Sequence, residues 1–289
     1  MSRSKMFLVA VLGSLMVIGS AVAALGITAN EILDEMEELY SFDDDGAQGV
    51  LATMAMHNDY GNDVISEYTL HILELTTFDT TKPEDGDEVY HALMYFAGGD
   101  EDGSIFLMET PEDEAVDSRM WLYLPALGLT KELVTDEDQS GSFAGSSMSY
   151  DDLGGAGDLR DDYDATIVGD ETMEVDGTSY DVWALELIAK PDADADYPRV
   201  LVWVEKSEYL PLRMESYNDP DVLETEMVFL AIGEFEGDMT PEVIHSIDLT
   251  EGTASTVTIS NLRRPSVLLT LETFDPNALG GFNIDSYGF

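Results

Sequence analysis

The sequence contains no cysteine. That absence excludes disulfides, thiolate metal sites and thiol nucleophiles together. Bases are nearly as scarce: 12 Lys and Arg stand against 60 Asp and Glu, a formal net charge of −48. Phosphate binding needs basic patches, so nucleic acid is excluded as a partner. Docking on anionic lipid head groups by charge is excluded for the same reason. The four histidines, His57, His71, His91 and His245, show neither a close pair nor HExxH spacing. No G-x-S-x-G elbow exists, because Gly145-Ser-Ser-Met-Ser149 lacks the closing glycine. Neither G-x-G-x-x-G nor a P-loop occurs. Asp136-Glu-Asp-Gln-Ser-Gly141 begins like a calcium loop, but its twelfth position is Ser147, where a bidentate Glu is needed. Paired carboxylates are always available among so many acids, so their presence carries no information. The reading is a protein with no metal, no cofactor and no catalytic group. A lipid hydrolase would instead need His71 or His91 beside a serine.

What is present begins with an export signal. Arg3 and Lys5 form a positive start, Met6 to Ile18 an apolar stretch, and Ala21-Val22-Ala23 a small-x-small cleavage site. The apolar stretch is short for a membrane span. No Cys follows it for acylation and no Arg pair precedes it, so the general secretory route is expected. Residues 1–23 are then a signal peptide and 24–289 one mature, periplasmic domain. Cleavage removes Arg3 and Lys5 and no acid, which takes the net charge from −48 to −50. With 44% hydrophobic residues this is a folded protein in an acidic coat, not a disordered tail. Like charges at that density repel until salt screens them, at a length of about 3 Å in 1 M salt. A halophilic source is the reading, and a protein fully folded in low salt without divalent ions would contradict it.

Thr28-Ala-Asn-Glu31 has the spacing of a capping box. Ile32, Leu33, Met36, Leu39 and Tyr40 follow at helical spacing, giving an amphipathic helix over 30–42 ended by Asp43-Asp-Asp-Gly46. It either packs on the core or moves as a lid. From residue 47 the period becomes two. Gly49–Met56, Ser66–Leu75, Tyr90–Phe96, Ile105–Met108, Met120–Leu124, Asp164–Val168, Tyr180–Ile188, Val200–Val204, Leu210–Tyr217, Thr225–Ile232 and Thr256–Leu262 read as strands. Asp85-Gly, Asp102-Gly, Asp176-Gly, Glu205–Glu208 and Asn218–Asp221 read as the turns between them. Thr240–His245 and Ser149–Leu153 each read as a short helical turn. Connections this short make antiparallel neighbours. The expected fold is mainly β: one large curved antiparallel sheet, an incomplete barrel, with the N-terminal helix and short helices over its open face. Such a sheet either fills itself with side chains or holds a ligand.

One stretch, residues 120–153, does not fit the acidic background. Trp121-Leu-Tyr123-Leu-Pro125-Ala126 is followed by Gly141-Ser-Phe143-Ala-Gly145-Ser146 and Tyr150-Asp-Asp152-Leu153. Upstream stands Asp102-Gly-Ser-Ile-Phe-Leu107; downstream stand Val202-Trp203-Val-Glu-Lys, Leu210–Tyr217 and Phe274-Asp-Pro276 with Leu279. In order and spacing these segments resemble the outer-membrane lipoprotein-sorting proteins, relatives of the periplasmic carrier LolA and its receptor LolB. The likeness runs over most of the mature chain. Two departures stand out: Leu127–Lys131 keeps one base where the family carries several, and Ser147 replaces an acid.

The resemblance implies an incomplete barrel with helices over its open face. It implies an apolar cavity that shelters the acyl chains of a lipoprotein or phospholipid crossing the periplasm toward the outer membrane. Each buried CH₂ contributes about 0.8 kcal/mol, so apolar surface alone can hold such cargo. Cavity and lid are assigned to Leu33, Met36, Phe106, Leu122, Leu124 and Trp203. Within residues 120–124, Met120, Leu122 and Leu124 share one face and Trp121 and Tyr123 the other. The aliphatic set is assigned to the cavity, with ordinary core as the alternative for both. Phe143 and Tyr150 anchor the following loop, Gly145 permits its tight turn, and Asp152 caps a helix or bonds a strand. The expected partners are the acylated cargo and an inner-membrane transporter, with the protein itself a monomer. The alternative is an accessory module that contacts such a transporter and carries nothing.

Overall fold

The computed structural model describes residues 26–38, 49–61, 63–78, 88–99, 101–111, 118–134, 143, 146–147, 159–191, 193, 195, 197–219 and 221–289. The segment 1–23 read as a signal peptide, the expected helix end at 39–46, the Asp85-Gly turn read from sequence, residues 136–141, Gly145 and the expected turn at 149–153 lie outside those residues.

Helix α1 spans Ala29–Glu38. Its capping box forms as the spacing requires: the Glu31 backbone N–H donates to Thr28 Oγ1 (3.2 Å) and the Thr28 N–H donates to Glu31 Oε2 (2.7 Å). Those bonds hold the Glu31 carboxyl below its usual pKa. A second, one-turn helix, α2, spans Leu159–Asp162.

Thirteen strands make one sheet: β1 Val50–Tyr60, β2 Asp63–Phe78, β3 Glu88–Phe96, β4 Ile105–Pro111, β5 Arg119–Leu124, β6 Leu129–Glu132, β7 Tyr163–Val175, β8 Thr178–Ala189, β9 Arg199–Glu205, β10 Pro211–Asp219, β11 Val222–Phe235, β12 Asp238–Asp248 and β13 Thr253–Arg263. Their order is β6-β5-β4-β3-β2-β1-β13-β12-β11-β10-β9-β8-β7. All pairs are antiparallel, and only the β1–β13 pair joins distant parts of the chain. β6 and β7 are edges, so the sheet does not close into a barrel. It curls enough for β7 to touch β11 although they are not neighbours in the sheet. The β7–β8 hairpin turns at Asp176-Gly177, both at positive φ (46° and 77°), the geometry a two-residue hairpin prefers.

Two strands differ from the sequence reading. Thr240–His245, read as a helical turn, is the middle of β12. Thr-Pro-Glu is a strong helix-start signal, but Pro241 lies opposite Ile232, where the β11–β12 register shifts around Ala231. An irregularity of that kind is where a sheet tolerates proline. β6 has only four residues, mostly exposed, and no alternation to reveal it.

Each face of the sheet carries its own core. The inner face holds one cluster drawn from every strand but β6, together with α1, α2, Leu133 and Phe143. The outer face of β1–β5 holds a smaller cluster around Leu73, Leu93, Leu107 and Trp121, covered by Leu269, Phe274 and Leu279 of the C-terminal segment. That segment winds through three 3-10 turns at Leu271–Phe274, Leu279–Gly281 and Ile284–Tyr287. Gly49 lets it approach: a Cβ there would stand 2.3 Å from the Glu74 carbonyl oxygen and 2.7 Å from Leu269 Cδ1.

Candidate functional site

Alternation decides what the inner face shows. On β1 the inward residues are Ala52, Met54, Met56 and Asn58; on β3 they are Tyr90, Ala92, Met94 and Phe96; on β4 they are Phe106 and Met108. Their outward neighbours Leu93, Ile105 and Leu107 belong to the other cluster. Helix α1 lays its apolar stripe on the inner face, and Ile32, Leu33 and Met36 are all at most 1% exposed. An Arg160–Asp34 ion pair ties the helix to α2. From the stretch after β6, Phe143 inserts its ring between Phe96 (5.7 Å) and Phe106 (5.8 Å).

The apolar face has polar groups toward each end. Toward one end Glu74, on β2, is 2% exposed with its carboxyl beside the Tyr90 hydroxyl. Burial raises that carboxyl to about 8, against a smaller lowering by the Tyr90 bond, so it is protonated at neutral pH. Burial, and then the neighbouring carboxyl, push the Tyr90 phenol well above its usual range. Toward the opposite end, Asn58, Ser255, Ser246, Thr225 and Ser216 are buried in successive strands of the inner face.

The residues assigned from sequence divide accordingly. Leu33, Met36, Phe106 and Phe143 meet in the inner cluster, and Leu122 packs against it from β5. Leu124, at the end of β5, is half-buried and outside that cluster. Trp121 and Tyr123 face the outer cluster, and Pro125 is exposed in the β5–β6 turn. Trp203 is partly buried and packs against the inner cluster, but from a position between the inward valines of its strand. Val200, Val202 and Val204 point inward and Trp203 points the other way, with the Arg213 guanidinium 5.1 Å from its ring centre. Leu201 and Trp203 are apolar too, so alternation on β9 did not distinguish the faces. Gly145, Tyr150, Asp152 and Leu153 lie outside the described residues.

His71 and His91, the two that a hydrolase would need, sit on the outer face. The His71 ring stacks on Phe289 at 4.3 Å. His91 Nε2 hydrogen-bonds Thr77 Oγ1 at 3.0 Å, and burial lowers its pKa to about 4. Sequence reasoning missed the inward polar residues at both ends. Their signal was Asn58, Ser216, Ser246 and Ser255 at inward register, where the alternation demands an apolar side chain.

Comparisons with known proteins agree with this architecture. A family model described as "Uncharacterized protein" matches residues 88–279. A search of curated proteins gives no match. Among solved structures, the chain is similar to a DUF1329 family protein from Desulfovibrio piger, with 25% identity over 87% of this chain and 98% of that one, at a TM-score of 0.70. It is similar to an outer membrane lipoprotein-sorting protein domain from Vibrio parahaemolyticus, with 25% identity over 86% and 97% of the two chains, at a TM-score of 0.67. A LolA superfamily protein from Nitrosomonas europaea shares the fold, with 19% identity over 86% and 98%, at a TM-score of 0.54. The chain belongs to the family whose model it matches, and it shares its fold with these DUF1329, lipoprotein-sorting and LolA superfamily structures.

Proposed function

We propose that the protein is a periplasmic carrier that takes the acyl chains of a lipoprotein or phospholipid onto the inner face of its half-barrel, on the way toward the outer membrane. The observation that supports this most is the pairing of a methionine-rich inner face with an amphipathic helix seated on it. Met54, Met56, Met94, Met108, Met120, Met214 and Met227 line the sheet side, and α1 supplies Met36 from above. Thioether side chains are flexible and polarizable, and they repack around guests of different shape. Three buried side chains of α1 hold the place that acyl chains would take. Loading exchanges one apolar contact for another, so no reaction is needed and cargo leaves when the helix returns. Sheltering requires no cofactor. Donor and acceptor are membrane partners that exchange cargo with the opened face.

The test is native mass spectrometry of the mature protein purified in high salt from its periplasm, with organic extraction of what co-purifies. A lipid or acylated peptide at near one-to-one ratio is the expected result. In parallel, Leu122→Glu places a charge against the inner cluster and is expected to abolish cargo binding in a protein that still folds. A clean unliganded mass, with no uptake of added phospholipid or lipopeptide, would favour the accessory-module reading instead.

A further inference from the structure

The polar residues at one end of the inner face form a row. Register places Asn58 opposite Ser66 on β2 and opposite Ser255 on β13. Ser255 stands opposite Ser246 on β12, and Thr225 on β11 stands opposite Ser216 on β10. Every member lies two or three residues inside the same rim: β1 ends at Tyr60, β2 starts at Asp63, β12 ends at Asp248 and β13 starts at Thr253. Moving inward from that rim along β1, the side chains change from Asn58 to Met56, Met54 and Ala52. The inner face is therefore polar at its mouth and apolar beyond it, the polarity profile of an amphiphile laid along the strand.

An independent observation shows that one buried end of an amide in the row lacks a partner among the described residues. Asn58 is fully buried, and its side-chain amide bonds Ser66 Oγ at 2.8 Å through one end only. The other end, Oδ1, has no hydrogen-bond partner among the described residues. Exchanging the two ends of the amide leaves the same vacancy. A buried amide half-satisfied in this way is costly, and native proteins rarely keep one without a use. Next to it, Ser255 Oγ is met by the Ser147 backbone N–H at 2.9 Å and the Ser147 hydroxyl at 3.0 Å. A loop residue thus supplies, from above the sheet, the kind of neutral hydrogen bond the row accepts.

Among the described residues the row contains no base, and acids flank it at Asp59 and Asp248. A phosphate or carboxylate would meet no cation there and repulsion at the rim. We infer that Asn58, Ser66, Ser255 and Ser246 form a head-group subsite for an uncharged, oxygen-rich group, the glyceryl ester of an acylated ligand, whose chains run inward over the methionines. This rests on the carrier reading and adds to it the chemistry of the ligand's polar end. The same chemistry is offered by a neutral glycerolipid and by a glyceryl-modified lipopeptide.

The experiment compares binding of 1-monooleoylglycerol, oleate and a glyceryl-modified lipopeptide of matched chain length, by calorimetry at pH 8 in high salt. The wild-type protein is expected to prefer the uncharged glyceryl probes over oleate by about tenfold, the size of one well-made hydrogen bond. Asn58→Leu is expected to remove that preference while leaving oleate binding and the thermal midpoint intact or higher, because it deletes an unsatisfied group. Ser255→Ala provides the same test should the first variant fold poorly. The tighter of the two glyceryl probes identifies the source. Equal affinity for all probes, or a preference that survives both variants, overturns the subsite and leaves the carrier reading standing. No binding of any probe overturns both.

Discussion

The two faces of one sheet bury different kinds of side chain. The inner cluster contains Met36, Met54, Met56, Met94, Met108, Met120, Met214 and Met227. The outer cluster contains no methionine and is built from Leu, Ile, Trp and Phe. Single strands show the split: β4 sends Phe106 and Met108 inward and Ile105 and Leu107 outward. The covers differ as well. Among the described residues, helix α1 lies on the inner face against β7 and the one-turn α2, while the outer face lies under the C-terminal segment. Arg263 reaches the Gly288 carbonyl at 3.2 Å and stacks over Phe289, and the Tyr287 hydroxyl donates to Thr273 Oγ1 at 3.3 Å. Shape-defined side chains under a fixed cover make a permanent core. Adaptable side chains under an amphipathic helix make a surface that can be lent to a guest.

Breaking the permanent side gives the largest effect. Phe274→Ala removes a fully buried ring from beneath the outer face and is expected to cost about 3–5 kcal/mol of stability. Chemical denaturation measures the loss, and acyl-ligand affinity of the folded fraction is expected to stay unchanged. An equal loss of affinity would mean that the two faces are not independent.

Glu74 belongs to the inner side and gives a pH signature. Its carboxyl is raised from 4.5 to about 8 in the folded chain. Between those values the folded state holds a proton that the unfolded state has released. The contribution of Glu74 to stability is therefore greatest below about pH 4.5, falls by about 1.4 kcal/mol per pH unit toward pH 8 and levels off above it. Glu74→Gln mimics the protonated form and is expected to flatten this part of the profile. Denaturation midpoints at pH 5, 6.5 and 8 check it, and an unchanged slope in the variant would remove Glu74 as the source.

A gentler change separates packing from plasticity. Met94→Leu conserves volume on the inner face and is expected to cost less than about 1.5 kcal/mol. It should still weaken binding of bulky or branched acyl ligands more than that of a single straight chain, measured by competition. At the bottom of the scale, Arg119→Ala removes the exposed ion pair to Glu132 (2.9 Å) between β5 and β6. That loss is expected to be about 1 kcal/mol or less, screened by salt, with ligand affinity untouched.

Much of this architecture was legible because half-buried antiparallel strands write their period into the chain. Eleven strands, the capping box and the Asp176-Gly turn all follow from residue pattern alone. β6 was too short to show a period, and the helix-start chemistry of Thr240-Pro-Glu masked β12. The site was less legible because alternation shows that a strand has two faces without saying what each one meets. On β9 both faces are apolar, so the pattern alone did not say which face Trp203 presents. The outer cover was invisible for a related reason: the C-terminal segment is held by 3-10 turns too short for any periodicity. Asn58 and its serine neighbours read as ordinary polar residues near turns until cross-strand register put them in one row.

The most direct test of the account asks whether the cover of the inner face moves when the face is loaded. The absence of native cysteine makes it clean. Leu33 is fully buried beneath α1, so a thiol introduced by Leu33→Cys reports whether the helix is seated. Its rate of alkylation in high salt should be low in the unliganded protein and rise at least tenfold as an acyl ligand saturates. An unchanged rate with ligand demonstrably bound would contradict the account, because the acyl chains would then lie somewhere other than the face that α1 covers.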